Sequence, residues 1–320
     1  MTVRPPVGDS TRSAADRNAR HVRALALTTA VSTYLLVVLG STVRVSDSGM
    51  GCSSWPLCNG RVGPIDHLHP LLEQSHRYLA TIVVFAIVGL IALTRRDGVR
   101  MRQVRNYAVA SLAIVSVQIV LGAITVLTNN APATVAAHLV VGLVFLAVVT
   151  ATAVASFIDG ATFWHRFEGQ WLAWASVGAL FVVLLSGSIV VDGGAEAACR
   201  SWPACLASPS ETRLVNLQYV HRSLVFVAAC LVVAYLARLW RSRALAQRTV
   251  ALVGITLLVA QIVVGAFDAV LGAPAALADV HLALASALWA VVVSALVASA
   301  VAPSANASPI DGVRTRRLVQ

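Results

Sequence analysis

Lysine is absent from this chain of 320 residues, and charged residues of every kind make up only 12% of it. A soluble globular domain carries about 25% charged and about 45–50% apolar residues. Here 58% are hydrophobic and the mean hydropathy is +0.79, which excludes a water-soluble fold and leaves a multi-span helical membrane protein. Neither a GxGxxG nor a GxxxxGKS/T element occurs, and no polar segment is long enough to house one, so nucleotide chemistry is set aside. The net charge of +10 does not imply nucleic acid, because the 24 basic residues, all arginine, gather in particular loops instead of along one amphipathic face. No cleavable leader is expected: residues 1–23 are polar and arginine-rich, and the apolar run that follows is too long for an h-region.

What is present is a series of apolar runs. Crossing a bilayer takes about 20 apolar residues, and eight runs qualify, near 24–45, 74–94, 106–128, 133–157, 170–191, 216–238, 249–270 and 276–301. Arginines set their direction by marking cytoplasmic segments. Arg4, Arg12, Arg17, Arg20 and Arg23 precede span 1; Arg95, Arg96, Arg100, Arg102 and Arg105 follow span 2. Arg166 follows span 4, Arg238, Arg241, Arg243 and Arg248 follow span 6, and Arg314, Arg316 and Arg317 close the chain. Both termini are therefore expected in the cytoplasm of a plasma-membrane protein. The odd-numbered loops, including the long ones at 46–73 and 192–215, then face outward, on the oxidising side where disulfides persist.

The chain repeats itself. "CSSWPLC" (52–58) returns as "CRSWPAC" (199–205), "EQSHRYLATIVVF" (73–85) is echoed by "LQYVHRSLVFVAA" (217–229), and "VQIVLGAITVLTNNAPATVAAHLVVG" (117–142) matches "AQIVVGAFDAVLGAPAALADVHLALA" (260–285). The offsets are 147, 145 and 143 residues, counted from Cys52 to Cys199, His76 to His221 and His138 to His281. Each copy holds four spans, an even number, so both enter the membrane in the same sense and relate by a pseudo-twofold axis along its normal. The expected fold is all-α: eight transmembrane helices forming two tandem four-helix bundles. Its expected division is a tail at 1–23, an N-terminal half at 24–157, a cytoplasmic linker at 158–170, a C-terminal half at 171–301 and a tail at 302–320.

Four of the eight histidines, His76, His138, His221 and His281, each open an even-numbered span near its outward end. A single such histidine reads most simply as an interfacial hydrogen-bonding group, and repeat symmetry preserves structural residues as well as functional ones. Histidine also ligates haem iron, and helix bundles build cofactor sites from side chains on facing helices. Ala80, Gly142, Val225 and Ala285, one turn from these histidines, leave room for a flat macrocycle or serve ordinary close packing. Zinc fits less well, since structural sites gather four ligands and favour thiolates. Gln118 and Gln261 read as interhelix hydrogen-bonding groups, Asp268 and Asp279 as interfacial residues, and Cys230 as a small core residue.

With its eight spans, tandem halves, four histidines, the ExxHR motif Glu73-Gln74-Ser75-His76-Arg77 and SWP-containing cysteine pairs, the chain resembles the haem A synthase family. The resemblance implies oxidation of the C8 methyl of haem O to a formyl group by successive hydroxylations, with water as oxygen source, for cytochrome oxidase. It also implies haem O synthase and oxidase assembly factors as partners, and a homo-oligomer is compatible with it. Glu73 lies three residues before His76, about one helical turn; its counterpart is Gln218, which cannot carry a proton. Substrate haem O (product haem A) is therefore expected between His76 and His138, and a permanent haem b between His221 and His281. Glu73 is then either the proton acceptor or a structural partner of Arg77. Arg77 and Arg222 meet haem propionates or anchor at lipid headgroups. Cys52–Cys58 and Cys199–Cys205 are expected as disulfides, the first above the substrate site. Two rival readings need the same ligands: a two-haem b-type electron-transfer cytochrome, and a haem carrier or exporter.

Overall fold

A computed structural model describes residues 7–62, 67–95, 101–158, 170–205 and 212–301. Among them are eight helices: α1 (Val7–Val45), α2 (Leu68–Arg95), α3 (Arg102–Leu127), α4 (Pro132–Ala155), α5 (Trp171–Asp192), α6 (Thr212–Trp240), α7 (Leu245–Val270) and α8 (Ala275–Val301). All eight are long and apolar enough to span a bilayer, where a helix meets the demand that every backbone polar group be satisfied internally. Proline opens α4 as its first residue, where the missing N–H costs nothing. The expected linker, apart from Ile158 and Gln170, and the C-terminal tail lie outside the described residues.

Helix α1 begins earlier than the apolar run at 24–45 indicates. Its arginine-rich turns continue the helix past the membrane-length stretch because they have partners: Arg23 Nε donates to Ser156 O at 3.1 Å, its guanidinium lies 5.6 Å from the Phe157 ring centroid, and Asn18 Nδ2 donates to Leu93 O at 3.2 Å.

Within the first half, α1 packs on α2, α2 on α3, α3 on α4, and α4 returns to α1; α5 to α8 close a second ring in the same order. The halves meet through α4 and α8, flanked by α1 against α8 and α4 against α5. Exchanging α1–α4 for α5–α8 maps this set of contacts onto itself, as a pseudo-twofold between α4 and α8 requires. One core collects Val83, Ile87, Leu90, Val115, Phe145 and Val149. The other crosses the seam, joining Leu143 and Leu146 of α4 to Leu288, Trp289 and Val292 of α8. Polar links tie the same seam: Trp289 Nε1 to Leu143 O (3.1 Å), Tyr34 Oη to Ala283 O (3.2 Å), Thr42 Oγ1 to Asp279 Oδ2 (2.7 Å) and an Arg44–Asp192 ion pair. Cys230 is exposed instead of lying in the core, since it sits on an outward face of α6.

Candidate functional site

The two cysteine loops lie over the rings and are built alike. Cys52–Cys58 and Cys199–Cys205 are both joined as disulfides. Each intervening SWP segment turns backbone carbonyls toward the helix that follows, and an arginine on that helix collects them. Arg77 Nη1 donates to Ser54 O at 2.9 Å and Pro56 O at 3.2 Å; Arg222 Nη1 donates to Ser201 O at 2.7 Å and Pro203 O at 3.2 Å, and its Nη2 to Cys199 O at 3.0 Å. The first loop also docks on the α3–α4 turn, where Asn130 approaches Gly49. The second docks on the α7–α8 turn, where Arg200 approaches Gly272.

Here the halves diverge. Glu73 is buried, with Oε1 on Arg77 Nη2 at 2.5 Å and Oε2 accepting the Cys52 backbone N–H at 2.8 Å. Gln218 is equally buried but donates: its Nε2 reaches Ala195 O at 2.7 Å and Glu196 O at 3.2 Å. One position is a charged acceptor locked to an arginine, the other a neutral donor. Both leave their loops held.

One turn along, the four histidines occupy matched environments. Helices α2 and α4 make no extended packing contact with each other, nor do α6 and α8; each pair faces across its ring. His76 and His138 stand one on each helix of the first facing pair, His221 and His281 one on each helix of the second. Every imidazole rests on a glycine of the preceding helix: His76 on Gly40, His138 on Gly122, His221 on Gly187 and His281 on Gly265. These glycines share the offsets of the repeat (Gly40 to Gly187 is 147, Gly122 to Gly265 is 143). Sequence reasoning passed over them, although alignment of the copies contained the signal. Of the small residues singled out instead, Gly142 makes room for the Gln118 amide, which donates to His138 O at 2.7 Å.

The donor set suits haem iron. Ser186 Oγ donates to Val183 O at 2.8 Å and lies 2.8 Å from His221 Nδ1, so it accepts that ring's N–H and leaves Nε2 as a lone pair for a metal. Gln261 Nε2 lies 3.2 Å from Nδ1 and 3.1 Å from Nε2 of His281, while its Oε1 is buried without a partner. Exchanging the two ends of that amide gives Oε1 a ring N–H of His281 to accept. In the first half the backbone carbonyls of Leu36 and Gln118 face the rings of His76 and His138. Neither Nδ1 closes an aligned hydrogen bond there. Among the described residues no three His, Cys, Asp or Glu side chains converge on a common point.

A family model, that of the cytochrome oxidase assembly proteins (COX15-CtaA), matches residues 23–74 and 67–293. The chain belongs to that family. It is 28% identical over 208 residues to a haem A synthase of Geobacillus thermodenitrificans, covering 62% of this chain and 64% of that protein. A haem A synthase of Bacillus cereus is 27% identical over 292 residues, 85% of this chain and 91% of the relative. A protoheme IX farnesyltransferase of Halobacterium salinarum is 34% identical over 125 residues, which is 39% of this chain and 27% of that protein. The chain thus spans just under two thirds of the first of these relatives.

Proposed function

We propose that this multi-pass membrane protein is a haem A synthase, oxidising the C8 methyl group of haem O to a formyl group. The observation that carries the reading is the doubled arrangement of two facing histidines under a disulfide loop, with a carboxylate in one copy and an amide in the other. Haem O as substrate lies between His76 and His138, and haem b between His221 and His281. Haem b supplies a one-electron relay when bound.

The overall change converts a methyl group and one water into a formyl group, releasing four electrons and four protons. It proceeds as two hydroxylations followed by loss of water. Glu73 would receive the protons released: each of its oxygens keeps a second lone pair beyond the bonds to Arg77 and Cys52. Gln218 at the matched place cannot do this, which makes only the first half reactive. The imidazole settings agree. In the C-terminal half both rings have side-chain partners, Ser186 and Gln261, as a resident group needs. In the N-terminal half neither Nδ1 has a hydrogen-bond partner among the described residues, which suits a substrate that must enter and leave. Arg77 and Arg222 brace the loops above the two sites; contact with propionates would require them to release loop carbonyls.

The arginine distribution supports cytoplasmic termini, with both sites toward the outer face of the membrane. The Halobacterium relative, in which a segment similar to this chain belongs to a protein named for protohaem farnesylation, supports haem O synthase as a partner.

The test is expression in a host that supplies haem O, followed by mass identification of the extracted haems. Haem A is expected beside haem b. Haem b alone, with haem O present and unchanged, would favour the electron-transfer cytochrome, the reading to which the unmatched Glu73 is least suited.

A further inference from the structure

A methyl group on any of the four glycines under the histidines would meet the imidazole before anything else, and by different margins. From an added Cβ, the nearest ring atom is Cε1 in every case: 2.6 Å at Gly265, 3.0 Å at Gly40, 3.3 Å at Gly122 and 3.4 Å at Gly187. At Gly265 the Nδ1 atom of His281 is also only 3.1 Å away. Van der Waals contact between carbons begins near 3.5 Å, so the first distance forces the ring to move, the next two ask it to yield by a few tenths of an ångström, and the last is ordinary contact. Because the obstructed atom is the far end of a side chain, the fold can absorb the change by turning the imidazole. A metal bond cannot, since it fixes both the plane and the reach of the ring.

We propose that Gly40, Gly122, Gly187 and Gly265 are positioning residues, each setting the plane and reach of the imidazole that packs on it. Haem ligation in each half then depends on two glycines one helix away. The inference rests on the haem-ligation reading above and adds a rank order to it. In the C-terminal half, Gly265 clamps His281 hard, while His221 is set mainly by Ser186 and tolerates a methyl at Gly187. In the N-terminal half both clamps are intermediate, Gly40 tighter than Gly122.

Gly254 supplies a control on the same helix as Gly265. An added Cβ there lies 2.8 Å from Leu236 Cδ2 and meets no histidine. The variants Gly265→Ala, Gly187→Ala and Gly254→Ala are purified as full chains. Haem b is counted per polypeptide, the low-spin electron paramagnetic resonance signal, which reports the relative orientation of axial imidazole planes, is recorded, and unfolding is followed separately. Gly265→Ala is expected to shift the low-spin signal and weaken haem b retention ~10-fold or more, the scale on which outer partners tune metal ligands, with helix content kept. Gly187→Ala keeps the wild-type signal. Gly254→Ala loses stability and keeps its signal. If Gly265→Ala carries full haem b with an unshifted signal, or shifts no further than Gly187→Ala, the proposal is overturned. Should Gly265→Ala not accumulate, the comparison passes to the haem O-loaded N-terminal site, where Gly40→Ala must perturb the signal more than Gly122→Ala; equal signals overturn the proposal there too. A wild-type chain without any bis-histidine signal, or one whose signal survives His281→Ala, removes the haem reading itself, an outcome distinct from a failure of the glycine ranking.

Discussion

Replacing Arg77 or Arg222 by methionine deletes the same loop clamp in two copies, yet the costs differ because the residue one turn earlier differs. At the second copy, Arg222→Met removes the hydrogen bonds to Ser201 O, Pro203 O and Cys199 O. Hydrogen bonds from a charged donor contribute about 1.5–3 kcal/mol each at most, and these carbonyls, partly open to water, recover much of that; a total cost of about 1–3 kcal/mol follows. Gln218 keeps its own bonds to Ala195 O and Glu196 O and is left with no unpaired charge. At the first copy the equivalent bonds are lost and, in addition, Glu73 loses its cation. Its side chain is only 6% exposed and that of Arg77 15%, so water does little to screen the loss. Removing one partner of a buried pair costs about 3–5 kcal/mol in all, its hydrogen bonds included. Arg77→Met should therefore be the worse variant by about 2–3 kcal/mol.

The double variant Glu73→Gln/Arg77→Met removes the stranded charge and recreates the pairing that Arg222→Met leaves in the second copy. It should recover most of that difference, a coupling of about 2–3 kcal/mol. Equilibrium unfolding of Arg77→Met, Arg222→Met, Glu73→Gln, the double variant and wild type in mixed micelles, followed by circular dichroism, measures these quantities, the first-copy variants forming a double-mutant cycle. Equal destabilisation by Arg77→Met and Arg222→Met, or no recovery in the double variant, would refute the claim that Glu73 is a buried anion held by Arg77.

Glu73→Gln alone should retain haem b and bind haem O while accumulating no haem A, read by mass of the extracted haems; normal turnover would remove Glu73 from the chemistry. Ser186→Ala takes the acceptor from the His221 ring N–H, so haem b should be held ~10-fold less tightly or worse and its midpoint potential should rise, with no change at the His76–His138 site in a haem O binding titration. Serine in place of both members of either disulfide should cost about 2 kcal/mol, the loop-closure entropy of so short a ring. Only the Cys52–Cys58 variant should also slow conversion, because Cys52 N–H is bonded to Glu73. Trp289→Phe removes the indole donor to Leu143 O across the α4–α8 seam; that carbonyl keeps its bond within α4, so a loss of about 1 kcal/mol should appear in unfolding while the haem spectra stay unchanged.

The spans and the repeat were readable from the chain because both are one-dimensional signals: an apolar length set by the bilayer and a recurrence of motifs at a nearly constant offset. That α2 could stand across from α4 was open to the same reasoning, since four spans per copy leave few ways to close a bundle. What could not be read was which helix each polar group would face. Arg77 and Arg222 stand beside a histidine in sequence, which suggested propionates; in space they are captured by carbonyls that the SWP turns direct inward, a contact decided by the path of a loop. Cys230 shares the composition of its neighbours and still lies outward, because α6 devotes the face carrying Ala228 and Val232 to the core. The glycines under the histidines show the limit most clearly. Small residues in membrane helices ordinarily serve close helix packing, so Gly40 and Gly265 looked like many others. Only the helix pairing α1–α2 and α7–α8 turns them into supports for His76 and His281. The repeat had preserved them at the offsets of the histidines and cysteines all the same. A residue type with no chemistry of its own, kept in register with residues that have it, points to geometry as the property held in common between the two halves, while Glu73 and Gln218 are where the chemistry was allowed to differ.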